Sequence, residues 1–222
     1  MSINIAIDGP AGAGKSTIAR KAAETLNFIY VDTGAMYRAL AVGFLRQNLA
    51  PEDEAGISKA CENASVSIDY VDGMQQVFLN GENVTGLLRT EEVSHMASAS
   101  SVYPAVRSKL LKLQRDLAAA HNVIMDGRDI GTVILPHAQI KIFLTASVAV
   151  RAMRRFKEQK AKGLNVSLEE IAKEIEERDY RDMHRETSPL KQAEDAVLLD
   201  TSDMTIDEVV EAILALYHDY AD

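Results

Sequence analysis

Residues 3–19 read INIAIDGPAGAGKSTIA. The alternation of Ile3, Ile5 and Ile7 specifies a strand, and Gly9, Pro10, Gly12 and Gly14 interrupt the chain directly before Lys15 and Ser16. The pattern G-x-x-x-x-G-K-S between a strand and a helix is that of a phosphate-binding loop. A nucleoside triphosphate carries closely spaced negative charges. Glycines let backbone N–H groups approach it, a lysine neutralises the outer phosphates and a hydroxyl reaches the accompanying Mg²⁺. Lys15 and Ser16 fit the last two roles. The rival dinucleotide fingerprint G-x-G-x-x-G would run from Gly12 through Gly14 to position 17, which is Thr17, so an NAD site fails there.

Outward from this loop, strand-like runs at 3–7, 28–31, 123–125, 140–144 and 197–199 alternate with helical patterns at 15–26, 35–48, 104–121, 148–162, 168–186 and 206–220. Such alternation predicts an α/β fold with a parallel sheet covered on both faces and ligands beyond the carboxyl ends of its strands. Ser167 with Glu170 and Thr205 with Glu208 read as capping boxes. Between Ser65 and Thr85 the pattern turns antiparallel, with Asp72-Gly73 and Asn80-Gly81 as turns, which predicts a small β insertion. The stretch AKGLNV (161–166) separates two charged helices and reads as the hinge of a mobile cover.

At 222 residues and 47% hydrophobic content the chain fits one elaborated α/β unit. Asp and Glu outnumber Lys and Arg 33 to 24, a balance that disfavours nucleic acid and anionic lipid as partners. The single cysteine, Cys61, offers neither an internal disulfide nor a thiolate metal cluster and reads as a small buried hydrophobe. With no leader pattern and no run long enough to span a bilayer, a cytoplasmic protein is expected, with no membrane partner, and a monomer. The five histidines show no metal-ligand spacing and are expected at the surface or at helix ends. The apolar run NVIMD ends in Asp126, a candidate partner for the loop in holding Mg²⁺.

Arginines gather in three places. Arg38 lies in VDTGAMYRA after a strand end, and Arg128 follows Asp126-Gly127. In ERDYRDMHR, spacings of four and three put Arg178, Asp182 and Arg185 on one helical face. Taken alone, that helix reads as a solvated one laced by Glu174–Arg178 and Glu177–Arg181 pairs. Arg151, Arg154 and Arg155 share a face before the hinge, where a lid closing over phosphates needs cations. A hydroxyl acceptor would need a carboxylate to take its proton. A phosphate acceptor is already anionic and chiefly needs neutralising, which favours a phosphate acceptor here.

The motifs DGPAGAGKST, DTGAMYRA, YPAVRSKL, DGRDIGT and ERDYRDMHR, in this order and across nearly the whole chain, resemble those of the bacterial cytidylate kinase family. That resemblance implies a P-loop nucleoside monophosphate kinase fold that passes the γ-phosphoryl group of ATP to CMP or dCMP. It implies a core (about 1–50, 104–150 and 190–222), a monophosphate-binding insertion (about 51–103) and a lid with adjoining helices (about 151–189). Gly9, Pro10, Ala11, Gly12, Ala13, Gly14, Lys15, Ser16 and Thr17, with Arg151 and Arg155, would bind ATP. Ser16 and Asp126 would hold the Mg²⁺. Arg38, Arg128 and Arg185 would take the acceptor or transferring phosphate, Lys15, Arg128 and Arg185 being catalytic. Ser98, Arg107 and Asp129 would read the cytosine, and Arg178 and Asp182 the sugar hydroxyls, with Thr33 and Tyr37 beside them. Asp129 suits the cytosine amino donor, and Arg107 and Ser98 suit its O2 and N3 acceptors. Two rivals remain at this point: a kinase for another small acceptor, and a slowly hydrolysing nucleotide switch. Against the switch, the chain has no Asn-Lys-x-Asp guanine-reading motif.

Overall fold

The structure is a computed structural model that describes residues 2–221. Its main sheet is parallel, in the order β2 (Ile29–Asp32), β6 (Val123–Gly127), β1 (Asn4–Asp8), β7 (Ile140–Thr145) and β8 (Val197–Asp200). Strand residues are apolar at odd and even positions alike, as both faces of the sheet are covered. Ile5, Ile7, Ile124, Ile142 and Leu144 pack under α1 (Lys15–Leu26) and α8 (Ile206–Ala221). Ala6, Val31, Val123 and Met125 join the larger core formed with α2 (Thr33–Arg46), α3 (Glu54–Asn63), α4 (Glu91–Ser100) and α5 (Pro104–Ala120).

Register is what builds the site. Asp32 lies opposite Asp126, and Asp8 lies opposite Gly127. Three strand ends therefore deliver Asp8, Asp32 and Asp126 to one edge of the sheet, beside the phosphate loop.

All five predicted strands and six predicted helices are present, with bounds shifted by up to two residues. Helix α2 begins at Thr33, two residues before the expected start, because Asp32 caps it, its Oδ1 accepting from the Ala35 N–H at 2.9 Å. It ends at Arg46 rather than Asn48, whose φ of 54° is left-handed. The box at Thr205 and Glu208 is reciprocal: the Glu208 carboxylate accepts from the Thr205 N–H at 2.7 Å, and the Thr205 hydroxyl from the Glu208 N–H at 3.3 Å.

The antiparallel insertion comprises β3 (Val66–Val71), β4 (Met74–Leu79) and β5 (Glu82–Asn83). Its turns fall at Asp72-Gly73 and Asn80-Gly81, all four residues at positive φ, the backbone that favours such dipeptides in tight hairpins. Two helices, α3 and α4, flank this hairpin and were not expected. Their signals were caps: Asp53 accepts from the Gly56 N–H, and Thr90 from the Val93 N–H. The two charged helices, α6 (Val148–Ala161) and α7 (Leu168–His184), form a hairpin around Ala152, Ile171 and Ile175, joined through Gly163 at φ 77°. Cys61 is buried and unpaired, and the five histidines are exposed. No helix among the described residues is long and apolar enough to cross a membrane.

Candidate active site

The phosphate loop leaves β1 at Gly9, where a side chain would collide with the Leu144 carbonyl oxygen, 1.9 Å from its Cβ position. This close approach requires glycine at a φ of 152°. The loop wraps the Lys15 ammonium, which is buried and donates to the carbonyl oxygens of Gly9 and Pro10 at 2.8 and 2.7 Å. Burial first, then the nearby Arg128 cation, holds Lys15 well below the ordinary lysine range. Ser16, in the first turn of α1, donates its hydroxyl to Asp126 Oδ2 at 2.9 Å. Tyr30, on β2, donates to the other Asp126 oxygen at 3.0 Å. Burial and the neighbouring Asp32 push the Asp126 carboxyl up to about 6.

A cavity of about 730 Å³ opens over this loop. Thr33, Tyr37, Arg38, Ser98, Arg107, Arg128, Asp129, Arg178, Asp182 and Arg185 line it. The structure thus brings together all ten residues expected around the acceptor. Of the expected ATP-side residues, Ala11, Gly12, Gly14, Lys15, Ser16, Thr17 and Arg155 line the same cavity. Gly9, Pro10 and Ala13 do not line it. Arg151 is not on the wall: its guanidinium donates to the Ala146 and Ala11 carbonyl oxygens, both at 2.8 Å, and to Asp179 at 2.6 Å. Arg154 is on the wall, donating to the Thr201 carbonyl oxygen at 2.6 Å. The wall also extends to Met204 and Ile206 at the start of α8, residues that no motif marked.

Around the acceptor side, Arg107 pairs with Asp129 and donates to the Ser101 carbonyl oxygen at 3.1 Å, lying over the Tyr37 ring at 5.5 Å. Arg128 donates to Asp182 at 2.9 Å, and Arg38 to Asp32 at 3.0 Å. Burial alone would raise the Asp182 carboxyl, but Arg128, Arg178 and Arg185 outweigh it and hold the group below the usual carboxylate range. Thr33 donates to the Asp126 carbonyl oxygen at 2.7 Å, fixing the start of α2 to β6. Tyr37 is buried enough that its hydroxyl is pushed up to about 12.

The solvated-helix expectation for α7 is corrected here. Arg178 does not pair with Glu174, nor Arg181 with Glu177. Glu174 instead meets Arg155 at 3.3 Å, Glu177 meets Lys173 at 3.8 Å, and Arg181 donates to the Ser98 hydroxyl at 3.2 Å. Because α7 packs on α6 through Ile171 and Ile175, its Arg178–Asp182–Arg185 stripe turns into the cavity. Burial and then Arg128 bring Arg178 down to about 10.

The electrostatics are lopsided. Eight cationic side chains line the cavity (Lys15, Arg38, Arg107, Arg128, Arg154, Arg155, Arg178 and Arg185) against five acidic ones (Asp32, Asp126, Asp129, Asp182 and Glu158), in a chain of net charge −9. Three of these arginines hold buried N–H groups with no hydrogen-bond partner: Arg38 Nε, Arg178 Nε and Arg185 Nη2. A buried unpaired donor costs about 1–3 kcal/mol, more when charged, so the cavity is built for an anion with several acceptor oxygens. Ser16 and Asp126 supply hard oxygen donors side by side. Among the described residues no three His, Cys, Asp or Glu side chains gather to bind a metal. A divalent cation at Ser16 and Asp126 would therefore share ligands with phosphate and water, as Mg²⁺ does.

The family model described as cytidylate kinase matches residues 5–219. A cytidylate kinase of Carboxydothermus hydrogenoformans is 52% identical over 214 residues, 96% of each chain. One from Caldicellulosiruptor bescii is 50% identical over 216 residues, 97% of this chain and 96% of its own. Among solved structures, a shikimate kinase from Bacteroides thetaiotaomicron superposes with a TM-score of 0.50 at 14% identity, covering 97% of this chain and 98% of its own. An uncharacterized protein from Eubacterium ventriosum does so with a TM-score of 0.52, also at 14% identity and covering 99% of both chains. At such low identity these two speak for the fold alone.

Proposed function

The chain belongs to the cytidylate kinase family, and on that premise we propose that it transfers the γ-phosphoryl group of ATP to CMP or dCMP, giving ADP and CDP or dCDP. The observation that carries this reading is the convergence of Lys15, Arg38, Arg128, Arg178 and Arg185 on one cavity with the phosphate loop, three of these arginines keeping N–H groups without a hydrogen-bond partner. Two phosphate-bearing substrates meet there, and the wall between them is cationic.

In this reading an oxygen of the acceptor phosphate forms the new bond to the γ-phosphorus while the bond from that phosphorus to the β,γ-bridging oxygen breaks. The acceptor oxygen is already anionic, so no general base is required. Lys15 and the loop N–H groups hold the donor phosphates, and Arg128 and Arg185 neutralise charge on the group in flight. Arg38 holds the acceptor phosphate. Asp129, Arg107 and Ser98 read the base, while Asp182 and Arg178 take the sugar. Tyr37 and Thr33 wall that side. Ser16 and Asp126 would hold Mg²⁺, which would supply positive charge to offset that of the phosphates. Residues 151–189 act as a lid with Arg155 over the donor, and 51–103 as the acceptor-side insertion. Closure of both excludes water that would otherwise hydrolyse ATP. A soluble cytoplasmic monomer with small-molecule substrates fits this reading.

Phosphorus NMR of ATP mixed with CMP and enzyme tests it. ADP and CDP should appear one for one with little inorganic phosphate. Phosphate release that ignores CMP would replace the kinase by a nucleotide hydrolase.

A further inference from the structure

Asp8, the residue before Gly9, has no role in the transfer described above, yet it is a buried carboxylate, 5% exposed. Its Oδ1 accepts from the Ile130 N–H at 2.8 Å and its Oδ2 from the Gly131 N–H at 2.7 Å. Those donors are the first two residues of a five-residue π-turn, Ile130–Ile134, that starts directly after Asp129. Asp129 itself has φ −146° and ψ 27°, outside the regular helical and strand regions, so its direction depends on what anchors the turn. The turn is closely packed at Gly131, where a Cβ would stand 3.1 Å from Lys141 Cδ and touch Asp8 Oδ2 at an ordinary 3.4 Å.

We propose that Asp8 is a positioning residue for acceptor-base selection: by gripping Ile130 and Gly131 from the end of β1, it sets where Asp129 meets the base and ties that setting to the donor loop. This rests on the reading of Asp129 as the base reader. Only a carboxylate fits the task, because two N–H donors converge and an amide would present one oxygen and one opposing N–H group. Burial, the largest influence, pushes the group up to about 6 against the two backbone hydrogen bonds. The fold therefore retains a carboxyl that is unfavourable to bury.

The test compares kcat/KM for CMP and UMP in wild type, Asp8→Asn, Gly131→Ala, Asp129→Asn and the Asp8→Asn/Asp129→Asn double variant, with KM for ATP alongside. Asp129→Asn should lower the CMP-to-UMP ratio, and Asp8→Asn should lower it by about tenfold while KM for ATP changes by less than about twofold. Gly131→Ala, which crowds the Lys141 side chain and so displaces the turn that Asp8 grips, should move the ratio in the same direction and serves if Asp8→Asn does not fold. The double variant should discriminate no worse than Asp129→Asn alone, as for a residue acting through another. If Asp129→Asn lowers the ratio but the folded Asp8→Asn and Gly131→Ala enzymes lose CMP and UMP activity in equal proportion, Asp8 is a structural staple and the inference fails while the base reading stands. If Asp129→Asn leaves the ratio unchanged, the base reading itself fails and takes this inference with it.

Discussion

Lys15 is buried among cations and loop carbonyl oxygens, a charge whose natural counterpart is the phosphate chain. Lys15→Ala should fold and lose kcat by about 10²–10⁴-fold, on the scale of removing one transition-state charge contact; a stopped assay on protein with an unchanged circular-dichroism melt checks this, and near-normal kcat would remove Lys15 from the chemistry. Arg128 pairs with Asp182 rather than with any residue assigned to the base. Arg128→Ala should therefore raise KM or lower kcat for every nucleoside monophosphate without reordering them, whereas a loss confined to cytosine nucleotides would move it to the base pocket. The placement of Lys15 and Ser16 in a loop between strand and helix, and of Arg38 just after a strand end, was legible because short local patterns encode it. Tyr30 and Asp8 were not: their contacts with Asp126 and with the Ile130–Gly131 turn depend on strand register across the sheet, which no local spacing records.

At the scale of elements, α6 and α7 meet the loop through one clamp. Arg151 donates to the Ala11 carbonyl oxygen, Asp179 accepts from the Ala11 N–H at 3.2 Å, and the two side chains pair with each other. Asp179→Ala would strand a buried guanidinium, at a cost of about 3–5 kcal/mol, and free the loop from α7. The thermal midpoint should drop by several degrees, with KM for ATP rising more than KM for CMP; an unchanged melt would show that the clamp is dispensable. Helix existence was legible from periodicity over most of the chain, and the hairpin from its Asp-Gly and Asn-Gly turns. The inward face of α7 was not, since Glu174 and Glu177 offer the arginines equally good partners at helical spacing, and only packing on α6 decides between them. Helices α3 and α4 escaped notice because they are short and their caps precede weak apolar patterns.

Across the whole molecule, a net charge of −9 surrounds a cationic cavity, and buried carboxyls make stability pH-dependent. Asp8 and Asp126 lie at about 6 in the fold against 3.8 as their ordinary value, burial being the main cause. Between these values the folded state binds more protons than the unfolded one, so their contribution is fully present below about 4 and is lost as pH rises through about 6. From pH 5 to 7.5 the nucleotide-free wild type should therefore lose more stability than Asp126→Asn, by about 1.4 kcal/mol, since about one pKa unit of the shift from 3.8 to about 6 falls inside that window; a wild type that gains on the variant over that window would contradict the burial account. The central claim, a cationic cleft that passes phosphate from ATP to a cytosine monophosphate, is tested most directly by a coupled ADP-release assay at fixed ATP and Mg²⁺ against CMP, dCMP, UMP, AMP and GMP. CMP and dCMP should lead in kcat/KM, with UMP behind by at least about tenfold and the purines behind further. A preference for AMP or UMP, or ADP release that no monophosphate accelerates, would contradict it.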